Sequence, residues 1–538
     1  MYVKVTKSKK YNYLQLVESY RDDKNAVRHK VLLHLGRVDQ IEKQSLINIG
    51  SKLFSLAGVT TTTANDFTEA EVVNWGYVVY KKLWSKFKLE EVLAKIQRAN
   101  GKTVFDLNAA SFLMTIQHLL YPGSKLNTHN KQHRYANLPR VELNHLYRSL
   151  DILCKNKDQI EEQIYKMNCR LFKMCVDVVF YDVTTFHFES VKKDSLKNFG
   201  FSKANKVNEV QVVFGMFIDS EGRPIGYELF PGNTFDGKTL DAALSNLEKR
   251  FGIRNIVIVA DRGINSKLNL KHITDKGYSY IVASKIKNLA QTTQAKIFDT
   301  SGYQTISDKG QTIKCKVIDY INSFRDNRRR VNLAEKLIIT YSAKRAEKDK
   351  ADRQRLLEKA EYLLANKATI KSSNKRGGKK YLKEIGSTNW ILDEASVAKD
   401  EKFDGYYGIQ TNNSNLDIDK ILDAYHTLWK IEESFKVMKS TLEVRPIFHW
   451  TENRIRGHFV ICFLAFLLER TLEFMLKEKQ ITASPEEIRE ALTGMQFAAM
   501  EVNQQKLYVK TKSPELSTKI LQTLNIAAPK TTVVAVNF

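Results

Sequence analysis

Paired cysteines, a secretion signal and a membrane-spanning run are all missing from this 538-residue chain. Its five cysteines include no Cys-x-x-Cys pair, which excludes a disulfide scaffold or a zinc ribbon and fits free thiols in a reducing cytoplasm. The start, MYVKVTKSKKYNYLQL, has no apolar signal core. The run FVICFLAFLL has only ten residues, too few to cross a bilayer, so we expect a buried helix there. The cysteines are Cys154, Cys169, Cys175, Cys315 and Cys462.

Acidic residues are outnumbered by basic ones, with 60 Asp and Glu against 85 Lys and Arg. The net charge of +25 favours a polyanionic partner, because Lys and Arg neutralise phosphates and release counterions. A basic protein without such a partner is the alternative. The length predicts several domains, and the 43% hydrophobic content is enough for real cores.

Two aspartates follow similar apolar runs. Asp182 ends VDVVFYD and Asp261 ends NIVIVAD, and a short polar or glycine-containing stretch follows each. Unbroken apolar runs of this kind are typical of strands buried on both faces. Open α/β sheets place their ligands at the carboxyl ends of such strands. The alternative is that each Asp only caps the next turn.

A third acid lies in a predicted helix. From Leu416 onward, apolar residues recur at spacings of three and four without Pro or Gly, which predicts a helix of several turns. Tyr425, Glu432 and Lys439 are seven residues apart and share one face of such a helix. Glu433 is a rival acid, and an ordinary amphipathic surface helix is the alternative.

Three carboxylates from separate elements suggest phosphodiester chemistry. Hard oxygen ligands can hold two Mg²⁺ roughly 3.5 to 4 Å apart, one beside the attacking oxygen and one beside the leaving oxygen. We therefore predict that Asp182, Asp261 and Glu432 form a two-metal site of an enzyme that processes nucleic acid.

The same residues resemble the DDE transposases of bacterial insertion sequences, in the group with a Tyr-x2-Arg-x3-Glu-x6-Lys signature. Tyr425, Glu432 and Lys439 match three of the four signature positions, which selects Glu432 over Glu433. Leu428 occupies the Arg position, and Lys430 stands two residues later. Further resemblance lies in FYDVTTF, PIGYELFPGNTFDGKTL, VADRG and LEVRPIFHWTENRIRGHFVICFLAFLLER.

The resemblance implies a ribonuclease H-like fold. The chain itself predicts three successive strands from residue 176, then a helix, the strand that ends at Asp261, another helix and a last strand, which describes a mixed α/β sheet with helices packed on it. In the family's fold, the first Asp lies on the first strand, the second on the fourth, and the Glu on a late helix beside them.

The resemblance also implies the function and the partners. It implies cut-and-paste transposition, in which the protein binds the terminal inverted repeats of its element and cuts and joins DNA with two Mg²⁺ that Mn²⁺ can replace. It further implies a homodimer that pairs two ends, in the bacterial cytoplasm at the nucleoid. The predicted phosphate-binding residues are Tyr425, Lys439, Lys436, Lys430 and Arg262. A hairpin intermediate would need a stacking surface for a flipped base, for which Trp390 and Trp429 are the candidates. A place in the core is the alternative for either tryptophan.

Composition and pattern predict six regions. Residues 287–400 contain the basic segments RDNRRR and KRGGKK, which favour phosphate contacts. The segment GVTTTTAND is predicted to be a linker. The regions are a small β module (1–57), a helical DNA-end-binding region (67–170), the first part of the catalytic core (171–286), a strand-rich insertion domain (287–400), the second part of the core (401–480) and a C-terminal tail (481–538).

Two other functions stay open. A metal-dependent nuclease would hydrolyse DNA without joining ends. A DNA-binding protein that descends from a transposase would bind without cutting, and Leu428 at the signature Arg position leaves room for weakened activity.

Overall fold

The computed structural model describes most of the chain. The predicted linker from Val59 onward, Cys175 and residues 371–376 of the lysine-rich segment lie outside the described residues. The described residues are 1–58, 70–174, 176–200, 208–253, 256–308, 311–366, 370, 377–385, 389–502 and 505–534.

The described elements alternate between helices and strands along the chain. The strands are β1 (Tyr2–Ser8), β2 (Tyr11–Arg21), β3 (Val27–Arg37), β4 (Glu71–Asn74), β5 (Val178–His187), β6 (Gln211–Ile218), β7 (Pro224–Pro231), β8 (Val257–Ala260), β9 (Ser279–Ala283), β10 (Gln304–Asp308), β11 (Gln311–Asp326), β12 (Arg329–Tyr341), β13 (Leu382–Ile385), β14 (Asn389–Leu392), β15 (Tyr406–Thr411), β16 (Gln496–Val502), β17 (Gln505–Lys510) and β18 (Thr532–Val533). The helices are α1 (Lys43–Leu56), α2 (Val78–Lys86), α3 (Leu89–Ala99), α4 (Leu107–Leu120), α5 (Lys125–Lys131), α6 (Leu143–Lys155), α7 (Lys157–Phe172), α8 (Asp236–Phe251), α9 (Lys267–Asp275), α10 (Gln291–Phe298), α11 (Ala343–Ala365), α12 (Glu394–Glu401), α13 (Ile418–His426), α14 (Trp429–Lys436), α15 (Glu452–Glu478), α16 (Pro485–Thr493) and α17 (Glu515–Thr523).

The smaller of two structural units comprises residues 1–73, 496–511 and 529–538. It contains the antiparallel meander β1-β2-β3, the helix α1 and a second sheet in the order β18-β17-β16-β4. The strand alternation near the start of the chain predicted the meander. The predicted β module also contains a helix, because α1 occupies its last quarter.

The larger unit comprises residues 74–495 and 512–528 and is built on a nine-stranded sheet. The strand order is β10-β11-β12-β15-β9-β8-β5-β6-β7. β5 pairs antiparallel with β6 and parallel with β8, and β8 pairs parallel with β9. The strands β5, β6 and β7 follow one another directly, α8 then leads to β8, and α9 leads to β9. This order confirms the predicted mixed, ribonuclease H-like sheet.

The strands of the predicted insertion extend this sheet. β11 and β12 form a long hairpin, and β12 pairs with β15, which also pairs with β9. These strands therefore join the sheet of the core and do not form one of their own. α11, α12 and the hairpin of β13 and β14 surround a separate small core.

The two faces of the central strands are covered differently. Val179, Tyr181 and Val183 of β5 pack with β8, α8 and α9 in one apolar core. On the opposite face, Phe186 meets Phe459 of α15. The helix α15 contains the apolar run FVICFLAFLL and is largely buried, as the sequence predicted. Within the described residues, no helix is long and apolar enough to cross a membrane.

Two sequence predictions of local structure are wrong. β5 does not end at Asp182 but continues to His187, because β6 goes on pairing with it as far as Gln211. The single helix predicted from Leu416 is interrupted: α13 ends at His426, α14 begins at Trp429, and a π-helical turn occupies Val437–Thr441.

Candidate active site

The register of β5 and β8 places the two predicted aspartates side by side. Tyr181 pairs with Ala260 across the parallel strands, so the next residues are Asp182 and Asp261. Neighbouring strands lie about 4.8 Å apart, which brings the two backbones within reach of one shared ligand. Side chains alternate between faces, so Asp182 points away from the apolar core that contains Tyr181 and Val183.

Backbone amides orient both carboxylates. The N–H of Val183 donates to Oδ1 of Asp182 at 2.7 Å. The N–H groups of Gly263 and Ile264 donate to Oδ1 of Asp261 at 2.7 and 3.3 Å. A Cβ on residue 263 would lie 3.0 Å from that Oδ1, so this tight turn favours glycine. Both aspartates are half-buried, as residues that bind a ligand at a sheet edge should be.

The helix α14, which carries Glu432 and which we call the signature helix, packs against the strand that carries Asp182. α14 contacts β5, and the ammonium group of Lys439 donates a hydrogen bond to Oγ1 of Thr184. Thr184 lies two residues beyond Asp182 on the same face of the strand. The structure thus brings Lys439 to the face of the sheet where Asp182 lies.

Tyr425 lies within electrostatic reach of Asp261. Its hydroxyl shares a hydrogen bond with the hydroxyl of Tyr407. Burial raises the pKa of Tyr425 most, and the neighbouring Tyr407 and the charge of Asp261 raise it further, whereas Arg262 opposes them. The Arg262 guanidinium lies 5.8 Å from the ring centre of Tyr407. Tyr425, Arg262 and Asp261 therefore belong to one site.

The two neighbouring acids of α14 have different surroundings. Glu432 lies in the first turn of the helix and is exposed. Glu433 is only partly exposed, and its carboxylate lies 3.6 Å from the guanidinium of Arg470. Glu433 is thus committed to an ion pair, which leaves Glu432 as the acid of this helix that faces solvent.

Four predicted binding residues lie elsewhere or stay apart. Trp429 and Lys430 line a cleft of about 210 Å³ with Glu433, Arg470 and Glu473, which we call the Arg470 cleft. Lys430 donates to the carbonyl of Ser220 at 2.7 Å, and burial lowers its pKa most.

Trp390 packs beside the small core near α11, under the ammonium of Lys379. Lys436 is exposed on α14. Neither side chain has a described contact with the aspartates.

Sequence reasoning missed two cations beside Asp261. Lys285 donates to the carbonyl of Asn265 at 2.6 Å, and its pKa is lowered by burial and by Arg262 and raised by Asp261. The Arg345 guanidinium lies 4.4 Å from the ring centre of Tyr407. Together with Arg262 they line a cavity of about 460 Å³. Lys285 follows β9 at the sheet edge where Asp261 follows β8, a signal that could have found it.

The surroundings fit divalent cations. Two adjacent carboxylates at a sheet edge, with an exposed Glu on the packed helix, supply the hard oxygen donors that such ions prefer. The described backbone hydrogen bonds of Asp261 go to Oδ1, so they do not engage its other oxygen.

Comparison with known proteins assigns the chain to a family. A model of the transposase DDE domain matches residues 175–468, and a model of the N-terminal domain of IS1634 family transposases matches residues 3–53. No curated protein matches significantly. Among solved structures, a piggyBac transposase synaptic complex with hairpin DNA aligns at 8% identity and a TM-score of 0.36, covering 79% of this chain and 83% of that one.

A Mos1 transposase paired-end complex with the left transposon end aligns at 10% identity and a TM-score of 0.15, covering 32% of this chain and 57% of that one. Because both scores are low, the fold assignment rests on the strand order. The DDE domain match spans more than half of the chain and includes Asp182, Asp261 and Glu432. The chain belongs to the insertion-sequence transposases with a DDE domain.

Proposed function

We propose that this protein cuts DNA at the ends of its own insertion sequence and joins the freed 3′ ends to target DNA. The observation that carries the proposal is the register of β5 and β8, which sets Asp182 beside Asp261 under the signature helix. Two strands and one helix then offer three carboxylates from separate elements, the arrangement that phosphodiester chemistry with metal ions requires.

Asp182, Asp261 and Glu432 would hold two Mg²⁺, for which Mn²⁺ should substitute. When bound, the ions would activate the attacking oxygen and stabilise the leaving oxygen. In the first step water attacks the phosphodiester at the element end and leaves a 3′ hydroxyl. In the second step that hydroxyl attacks a target phosphodiester, so one phosphodiester bond forms as another breaks.

The cations around the aspartates would hold the DNA backbone. Lys439 lies beside Thr184, and Arg262 and Tyr425 lie beside Asp261. Leu428 stands where related transposases carry an Arg and is buried, so it cannot hold a phosphate. Arg345 lies beside Tyr407 in the cavity that Arg262 also lines, and we propose that it replaces the missing guanidinium.

The biological context follows from the chemistry. The DNA would be the terminal inverted repeats and the target, and a homodimer would pair two ends. Such a protein would work at the bacterial nucleoid.

The first experiment incubates the full-length protein with labelled DNA that carries the ends flanking its gene, with Mg²⁺ or with EDTA. We expect Mg²⁺-dependent cutting and 3′-end joining, both lost in Glu432→Gln. Glu433→Gln is the matched control, because it removes the same charge one residue away, and it should still cut. Cutting without joining would instead indicate a nuclease, and binding without cutting would indicate a DNA-binding relic.

A further inference from the structure

A cluster of basic side chains is buried in the helical part of the larger unit, away from the aspartates. His118 of α4, Lys125 of α5 and His458 of α15 are 3, 3 and 4% exposed. His449, in the loop before α15, completes the cluster and is also buried. Four groups that can carry positive charge therefore share one small interior region.

Hydrogen bonds fix the tautomers of two of these histidines. Nδ1 of His118 donates to the carbonyl of Leu442 at 3.1 Å, so its Nε2 accepts from the ammonium of Lys125 at 3.2 Å. Nε2 of His458 donates to the carbonyl of Val444 at 3.1 Å. Both rings are thus neutral and are held by the segment that follows the signature helix.

Positive charge in the cluster has no acidic partner among the described residues. The charged groups that shift the pKa values of His118, His449 and His458 are all basic, with Lys125 the largest of them in each case, and all lower those values. Glu443 borders the region, but its side chain is 53% exposed and lies 4.0 Å from Arg489. A buried ammonium without a counter-charge costs free energy, which suggests that its partner is a ligand.

A small cavity lies among these groups. Its volume is about 40 Å³, and Lys125, Arg445, His449 and His458 line it. Tyr147, Ser124 and the mostly exposed Glu443 are also in its wall. A volume of roughly 10 to 15 Å³ on this measure holds one water, so the cavity has room for one oxyanion. Among the described residues, the buried Nε–H of Arg445 has no hydrogen-bond partner, so this donor is available to such an ion.

Two residues in the wall of the cavity, Pro446 and Phe448, are exposed and also border Phe188, the residue after β5. The cavity therefore reaches the surface near the end of the strand that carries Asp182.

We propose that this cavity binds one phosphate group of the DNA backbone. The inference rests on the proposed function, because it takes the DNA to lie along the face of Asp182. Lys125 supplies the positive charge, and Arg445 supplies its unpaired N–H.

A metal ion is the competing occupant. His118, His458 and Cys462 place possible ligand atoms within 4.8 Å of one another. However, the ammonium of Lys125 already occupies the lone pair of His118 Nε2 that a metal would need. A phosphate accepts hydrogen bonds from that ammonium, whereas a metal must displace it.

The test measures binding of end DNA by the full-length protein in EDTA, across a series of salt concentrations. Lys125→Met keeps the length of the side chain and removes its charge. We expect several-fold weaker binding and a salt slope reduced by about one phosphate contact. Without DNA, the variant should melt at the same or a higher temperature, because an uncompensated buried charge is gone.

The matched control is Lys131→Met, which removes an exposed charge from the same helix and should leave the slope nearly unchanged. Inorganic phosphate provides a second arm. If it raises the melting temperature of the wild type but not of Lys125→Met, the cavity takes any phosphate group. If it does not, while the DNA slope falls, the cavity takes phosphate only as part of DNA.

Three results would overturn the inference: an unchanged slope in Lys125→Met, a lower melting temperature with unchanged binding, or one equivalent of zinc that survives EDTA. Failure of the proposed function looks different. A wild type that binds end DNA but never cuts it with Mg²⁺ contradicts the transposase proposal and leaves the phosphate site standing.

Discussion

Lysines lie on both sides of the signature helix, but the groups that surround them differ. On one side, Lys439 faces the strand of Asp182. On the other, Lys430 is bonded to a backbone carbonyl inside the Arg470 cleft, where Glu433 and Glu473 both contact Arg470. In the Arg470 cleft, Lys430, Glu433 and Glu473 all have partners within the protein, so these contacts hold α14 in place. On the other side, Glu432 and Lys439 are exposed, so that side is the one suited to a ligand.

The largest effect should come from the aspartates. Asp182→Asn or Asp261→Asn should lower the cutting rate by a factor on the order of 10³ or more, the scale of removing a principal catalytic group. Melting temperature should change little, since both side chains are half-buried and the amide oxygen of Asn can still accept the backbone N–H bonds to Oδ1. Cutting that persists in both variants would show that the chemistry takes place at another site.

Lys439→Met should have the next largest effect. Loss of one fixed cation beside the site should slow cutting about 10- to 100-fold, somewhat below the cost of removing an oxyanion donor. Lys436→Met, an exposed lysine of the same helix, is the control. Equal rates for the two variants would mean that the contact of Lys439 with Thr184 does not position DNA.

Arg345→Ala tests the replacement of the signature Arg. We expect weaker DNA binding and a several-fold slower reaction, because the guanidinium beside Tyr407 would be lost. Leu428→Ala should disturb stability more than DNA binding, since Leu428 is 8% exposed. Salt-dependent binding and melting curves separate the two effects; equal DNA affinity of Arg345→Ala and the wild type would argue against the replacement.

Lys430→Met should change cutting less than about twofold, because a lysine bonded to a carbonyl in the Arg470 cleft has no phosphate to hold. The same assay that detects the loss in Lys439→Met measures it. A loss as large as that of Lys439→Met would show that DNA contacts both sides of α14.

Glu473→Gln should leave cutting unchanged and alter the pH dependence of stability. Burial raises the pKa of Glu473 to about 7, outweighing the attraction of Arg470. The folded state therefore keeps a proton that the unfolded state loses above pH 4.5, so stability falls as pH rises from about 5 to about 7. Melting curves of the variant should show a shallower decline there. An equally steep decline would assign the slope to other groups, such as buried Glu469, whose pKa is raised to about 8.

The sequence predicted the fold well because its signals were local. The β-branched runs before Asp182 and Asp261 predicted their strands, and the chain order of the elements predicted the mixed sheet. The end of β5 was placed too early because the polar stretch after Asp182 was taken to end the strand, although Thr and Val favour strands wherever a partner continues. Here the partner is β6.

The side of the helix to which a residue belongs was harder to predict. The break after His426 contains no Pro or Gly, so nothing in the pattern marked it. Lys430 and Trp429 were consequently predicted to contact DNA, whereas the structure has them in the Arg470 cleft. Arg345 lies in the first turn of the highly charged helix α11, and only tertiary packing brings it beside Tyr407.

The continuous hydrogen bonding from β7 to β10 has a mechanical consequence. β15 joins the strands of the predicted insertion to β9, so they belong to the same hydrogen-bonded sheet as the strands that lead to the aspartates. A hinge at that seam would have to break a row of backbone hydrogen bonds, and rearrangement is easier in α11 and its small core. Slow amide hydrogen exchange across β9, β15 and β12, with faster exchange in α11, would indicate that the sheet is rigid and that the helix attached to it moves more easily.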